Sequence, residues 1–551
     1  MLTLRVETIG VAVPDWNMAE VWETVAEVLP DAPAQIQGER RSTWAEFDRR
    51  ADGVAKALLA LGVEHQDKVA QYLYNCPEYL ESLFAAWKAG LVPVNTNYRY
   101  TEDELLYLWE NADAVAVVFH GSFSSRIEAI KDRLPKVRLW LWVDDDGTPC
   151  PDWATAYEDV TSSATERTVA PWGRSPDDLY MLYTGGTTGM PKGVMWRQDD
   201  IFSLLNSGGI GGYPPAGGLE AVRAQLEEVG PGMKGVPACP LMHGTGAIIS
   251  FGLLLSGGCV VLLEERSFES EELFDVIVRE GVNAVVIVGD VFAKPMVRAL
   301  DANEGRWDLS SLVMIYSSGV MWSEAVKEGL LRHNSAMMLV DALGSSEAIG
   351  MGTSVSAGAD AADTASFSLG PNAVVIGDGN RLVEPGSGEI GRVGIKGRTP
   401  VGYYKDPEKS AATFPVIDGV RYSIPGDHAT IDADGTIQLL GRGSAVINTG
   451  GEKVFPEEVE EALKTHASVR DAVAVGVPDD RFGEAVTAIV ELEPDAALDE
   501  PAVIAHVKAA LAGYKAPKRV LQVDTIGRAA NGKVDYKRLK TEAVEALGIG
   551  G

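Results

Sequence analysis

The stretch "YTGGTTGMPKGVMW" at residues 183–196 gathers the residue types that hold a polyphosphate. Gly185, Gly186, Gly189 and Gly193 let a backbone approach a ligand closely. Thr184, Thr187 and Thr188 bring hydroxyl and amide donors, and Lys192 adds a positive charge. Two familiar nucleotide spacings do not fit. A Walker A loop places its lysine in Gly-Lys-Ser/Thr, whereas Lys192 follows Pro191 and precedes Gly193. No Gly-x-Gly-x-x-Gly runs through Gly185, Gly186 and Gly189 either. A phosphate site here belongs to another class of nucleotide enzyme.

Such a loop needs a frame. Trp44, Phe47, Ala51, Val54, Leu58 and Leu61 recur at helical spacing. "KVAQYLY", a helix around "PEYLESLFAAWKAG", "LVPVNT", a helix capped by Thr101 with Glu104, and "AVAVVF" then alternate strand with helix. This predicts a mostly parallel sheet with helices on both faces. A second alternation runs through "CVVLLEE", "FDVIVREGVNAVVIVG" and "SLVMIYSSGV". Residues 366–440 change to short strands between Gly, Pro and Asp turns, a small β-rich subdomain. "GRGSAVINTGGEKV" at 441–454 precedes a new set of elements. These are helices near 456–465, 501–512 and from about 535, and strands near 470–476 and 485–492. A boundary near 443 therefore divides residues 1–443 from a C-terminal unit, 444–551. The glycine-rich stretch 206–218 reads as a mobile surface loop.

The chain has 551 residues and a formal net charge of −31, which speaks against nucleic acid and anionic membrane surfaces as partners. Its four cysteines, Cys76, Cys150, Cys239 and Cys259, are scattered without metal-binding spacing and read as reduced thiols. "MLTLRVETIG" lacks the apolar core of a signal peptide. The apolar run 247–263 is split by two glycines, which favours a buried helix and strand over an integral membrane segment. The expected location is the cytoplasm.

Further stretches follow the phosphate loop in order: "PLMHGTG" (240–246), "SSGV" (317–320), "DALGSSE" (341–347), "YSIPGDHA" (422–429), "GR" (441–442), "NTGGEKV" (448–454) and "ANGKVDYKRL" (530–539). Together they resemble the adenylate-forming superfamily of acyl-CoA synthetases, peptide-synthetase adenylation domains and luciferases, over nearly the whole chain. The resemblance implies an α/β fold. A large N-terminal domain would hold two stacked α/β subdomains and a small β-rich one, followed by a small mobile α+β domain. It implies that Thr184, Gly185, Gly186, Thr187, Thr188 and Lys192 wrap the β- and γ-phosphates of ATP. Glu347, with Thr184, would hold Mg2+. Gly319, Asp341 and Gly344 would line the adenine pocket beside Ser345 and Ser346, Asp427 would accept from the ribose hydroxyls, and Arg442 would lie near ribose or phosphate. Lys533 would bridge the carboxylate and the α-phosphate, which makes Lys533, Glu347 and Thr184 the catalytic set.

Met242, His243, Gly246 and Gly319 would shape the acyl pocket, with the apolar helix 246–258. His243 is not expected as a base, since a carboxylic acid is already ionised at neutral pH. Rotation about Ser444 would bring Gly450 and Gly451 to the site, where a pantetheine arm of coenzyme A passes. The chain departs from the usual pattern at Gly186, Leu343, Pro425, Ser444 and Asn448. None of these removes the magnesium ligand, the ribose acceptor or the lysine. "MPKGVMWRQDDIF" looks like the actinobacterial branch that activates fatty acids and steroid side-chain acids, so the expected substrates are an apolar carboxylic acid, ATP and coenzyme A. Coenzyme A is expected over a carrier protein because the chain ends at Gly551 without a fused carrier. Transfer to a separate carrier protein, a nucleotide-binding relative without catalysis, a phosphotransferase releasing ADP and a luciferase-like oxidation stay open, as does a homodimer.

Overall fold

In the computed structural model, residues 15–145, 147–186, 189–207, 212–358, 360–442, 445–449, 452–479, 482–529 and 532–549 are described. Thr187, Thr188, Ser444, Gly450 and Gly451 lie outside them, and so do four positions of the glycine-rich stretch, 208–211.

The first alternation folds as parallel strands Lys68–Tyr72, Val92–Asn95, Ala114–His120 and Leu139–Val143 of an eight-stranded sheet. Runs such as "AVAVVFH" are buried along their whole length, as strands covered on both faces must be. At the start of the helix Glu102–Asn111 the Glu104 carboxylate accepts from the Thr101 N–H and hydroxyl, and Trp44–Leu59 opens with a capping box of Thr43 and Glu46. One edge of this sheet is not parallel: Leu179–Gly186 and Gly189–Arg197 form an antiparallel hairpin, with the two-residue strand Gly402–Tyr403 on its outer side.

The second alternation gives parallel strands Cys259–Leu262, Lys234–Pro237, Ala284–Ile287, Met314–Ser318 and Met338–Ser345. At Ala348–Ala357 this sheet turns antiparallel and runs on into the β-rich part, Ser366–Arg442. Between the two sheets lies a layer of helices, Met18–Val28, Trp44–Leu59, Pro77–Lys88 and Gly244–Leu255. Their apolar faces share one core with Val69, Val118 and Leu182 of the first sheet and Val260 and Leu262 of the second. The apolar run 247–263 is thus a buried helix followed by the buried strand Cys259–Leu262.

Two departures from the sequence reading have local causes. Tyr213 falls in the stretch expected as a mobile loop, yet it is buried and donates its hydroxyl to the Leu255 carbonyl at 2.5 Å. Its backbone is tied to the Asn206 side chain at 2.7 Å. The C-terminal five-stranded sheet also contains Arg519–Gln522, paired in parallel with Gly483–Leu492, a strand too short and polar to stand out. Helices Pro456–Lys464 and Glu500–Ala510 bury one set of its side chains and Tyr536–Ala546 the other.

Candidate active site

The phosphate-loop sequence is the hairpin just described. Thr184 stands across from Lys192 and Gly186 from Gly189, so the close-approach glycines flank its tip. The hairpin is held from inside by Asn95 at the end of its strand. The Asn95 amide donates to the Tyr183 carbonyl at 3.0 Å and to the Met242 carbonyl at 2.7 Å, and its oxygen accepts from the Tyr183 N–H at 2.6 Å. One buried side chain thereby registers the phosphate hairpin against the "PLMHGTG" segment. Sequence reasoning passed over Asn95, because an Asn ending "LVPVNT" looks like an ordinary turn residue.

A cavity of about 720 Å³ opens beside this hairpin. Thr184, Met242, His243, Gly319, Gly344, Ser345, Ser346, Glu347 and Lys533 all line it, so residues from five separate motifs converge. Lys533 comes from the C-terminal unit. Gly532 beside it has φ +72, and a Cβ there would lie 3.0 Å from Val320 and 3.1 Å from Val291. The positive φ favours a glycine here, and an added Cβ would press on two valines where this segment meets the large domain.

The Glu347 carboxylate accepts from the Tyr403 hydroxyl at 2.9 Å, and its backbone carbonyl accepts from the Ser423 hydroxyl at 2.6 Å. Lys192 pairs with Asp406 at 2.8 Å, with its ammonium 5.6 Å from the Tyr403 ring. Side-chain hydrogen bonding from Lys192 helps hold the Asp406 carboxyl below its ordinary range. Asp427 begins a strand and faces Arg442 as its cross-strand neighbour. Burial, with the Lys533 and Arg99 cations nearby, lowers the His243 pKa to about 3, so the imidazole is neutral at physiological pH.

Several expected residues do not line this cavity: Lys192 and Asp427 stand outside its lining, and so do Asp341 and Gly246. Asp341 is buried on the same strand as Gly344, facing Lys327 at 3.8 Å, and is not part of the cavity lining. Burial pushes its carboxyl up to about 7. Gly246 is also away from the lining: a Cβ there would fall 2.6 Å from the Pro240 carbonyl, so it serves close packing at the start of its helix. That helix gives the cavity only its first turns, through Thr245, Ile248 and Ile249. Phe251 beyond them points into the core against Trp22, Trp87 and Tyr180. Helical periodicity turns the later residues of "GAIISFGLLLSGG" away, which a reading of the run as a block misses.

Residues 22–404 match the AMP-binding enzyme family, and residues 458–533 match the AMP-binding enzyme C-terminal domain. The chain belongs to this family of adenylate-forming enzymes. It is 39% identical over 536 residues to the medium/long-chain-fatty-acid–CoA/3-oxocholest-4-en-26-oate–CoA ligase of Mycolicibacterium smegmatis, covering 95% of this chain and 96% of that one. It is 38% identical over 538 residues to the 3-oxocholest-4-en-26-oate–CoA ligase of Rhodococcus rhodochrous, covering 96% of each. In fold it is similar to the anthranilate CoA ligase AuaEII in complex with anthranoyl-AMP, with a TM-score of 0.82 at 22% identity over 97% of this chain and 99% of that one.

Proposed function

We propose that the protein is an AMP-forming acyl-CoA ligase that activates an apolar carboxylic acid. The observation that carries this reading is the meeting of Thr184, Glu347 and Lys533 on the wall of one cavity, with a cation supplied from the C-terminal unit. The substrate's carboxylate oxygen attacks the α-phosphorus of ATP. A new P–O bond forms as the bond to pyrophosphate breaks, giving an acyl-adenylate. Lys533 lies between two anions that repel as they approach, and its charge offsets that repulsion where it develops. No base is needed, and the neutral His243 serves as a wall beside the acyl group.

Glu347 and Thr184 supply oxygen donors on one cavity wall, which suits a hard cation. Among the described residues there is no group of three or more His, Cys, Asp or Glu side chains that could hold a metal ion, so Glu347 and Thr184 are the residues that would hold Mg2+ here. When bound, Mg2+ offsets charge on the departing pyrophosphate.

In the second half-reaction the coenzyme A thiol gives up its proton to solvent, its sulfur bonds to the acyl carbon, and AMP leaves. We assign the domain boundary near residue 443, with Ser444 as the hinge that withdraws Lys533. Gly450 and Gly451 then leave room for the pantetheine arm. Asp427 and Arg442 are assigned to the ribose and phosphate side. An apolar acid is favoured by the relatives named above and by Met242, Ile248, Ile249, Val288 and Ile349 around the cavity. A cytoplasmic setting is supported by four free cysteines and by the absence, among the described residues, of any helix long and apolar enough to cross a membrane.

Acid-dependent exchange of labelled pyrophosphate into ATP tests the reading. Octanoate, palmitate and a steroid side-chain acid should support exchange well above acetate. Release of ADP instead would indicate a phosphotransferase and overturn it. Acyl-adenylate that accumulates beside coenzyme A without thioester would move the acceptor to a carrier protein.

A further inference from the structure

The two charged groups assigned to the triphosphate, Glu347 and Lys192, come from different parts of the chain and share one neighbour, Tyr403. Its hydroxyl donates to Glu347 Oε1 at 2.9 Å, and its ring lies 5.6 Å from the Lys192 ammonium. Tyr403 is itself held on every side. Its strand pairs with Met195 and Val194 of the phosphate hairpin, and its N–H donates to the Ser410 hydroxyl at 2.8 Å. Its ring packs on Phe414 at 5.5 Å, and the next residue, Tyr404, is tied through its hydroxyl to Asp113 at 2.7 Å.

The backbone around Glu347 is equally fixed. Ser423 donates to the Glu347 carbonyl, and Trp196 Nε1 donates to the Ser346 carbonyl at 2.8 Å. These bonds hold the backbone, and the carboxylate at the end of the Glu347 side chain is held by the Tyr403 hydroxyl. A carboxylate has about four acceptor sites, so one bond from Tyr403 orients it and leaves capacity for a cation.

We propose that Tyr403 is a positioning residue of the triphosphate site, aligning Glu347 through its hydroxyl while its ring supports Lys192. This rests on the reading that MgATP binds here. Tyr403→Phe keeps the ring against Phe414 and beneath Lys192, and removes only the hydroxyl.

Calorimetric titration of MgATP and of AMP into wild type, Tyr403→Phe, Glu347→Gln and the double variant tests the proposal. Tyr403→Phe should weaken MgATP about tenfold, the loss expected of one hydrogen bond to a charged group, and leave AMP affinity unchanged. In EDTA the difference between wild type and Tyr403→Phe should vanish. In the Glu347→Gln background the second substitution should add nothing. Unchanged MgATP affinity in Tyr403→Phe, equal weakening of AMP, or an additive double variant would overturn the proposal. A wild-type protein that binds no MgATP would instead sink the ATP reading itself.

Discussion

At the scale of single residues, the proposed reading gives Lys533 a charge role in adenylation and His243 a place on the cavity wall. Lys533→Ala should lower the rate of acyl-adenylate formation about 10²- to 10³-fold, the range for removing one preorganised charge at a reacting centre, with the melting temperature unchanged. Single-turnover adenylation read beside a thermal melt checks this; a rate near wild type would remove Lys533 from the mechanism. His243 binds its proton only near pH 3 in the folded chain against 6.5 ordinarily, because burial and the cations nearby disfavour the charge. Between those values the unfolded chain holds more protons, so this group's contribution to stability is full above about pH 6.5 and is lost as the pH falls toward 3. His243→Asn should therefore flatten the acid side of the stability profile, measured by urea unfolding from pH 7 to pH 4. An unchanged profile would contradict the burial argument. Single residues were also where the sequence was most legible: Thr184, Glu347 and Lys533 stand in motifs whose order is distinctive. Asn95 and Tyr403 were not legible, since each acts on partners far away in the chain.

Elements decide whether those residues meet. The segment carrying Lys533 lies close to Val320 and Val291 at Gly532. Gly532→Ala adds a methyl group where φ is +72 and two valines stand 3.0 and 3.1 Å away. It should slow adenylation by tenfold or more while thioester formation from supplied acyl-adenylate changes less than about twofold, because strain of this kind costs on the order of 1–3 kcal/mol in one arrangement of the domain. Equal loss in both half-reactions, measured by rapid quench, would show a general defect. Strand–helix alternation made the two sheets readable in advance, and a capping residue marked the helix start at Thr101. The antiparallel edge that turns the phosphate loop into a hairpin was hidden, because a Gly-rich sequence carries no strand periodicity. The strand Arg519–Gln522 was hidden for a related reason: four residues are too few to establish a period.

Across the whole molecule, helices between the two sheets join the halves into one core, and a buried lysine sits among them. Lys88 is fully buried, 2.6 Å from Asp48, 2.8 Å from Glu23 and 2.9 Å from Asp52. Burial alone would lower its pKa, and the three carboxylates more than reverse this. Lys88→Met would remove the buried cation that all three share and should cost about 3–5 kcal/mol of stability, read by chemical denaturation at neutral pH. A loss under about 1 kcal/mol would mean that Arg174 and Arg167 compensate. No sequence pattern announces this cluster, because its members come from three helices. The reaction as a whole is tested by product analysis with MgATP, coenzyme A and a panel of acids. AMP and an acyl-CoA thioester should form in equal amounts, dependent on an apolar acid and absent without it. AMP without thioester, or ADP with any acid, would contradict the proposed function.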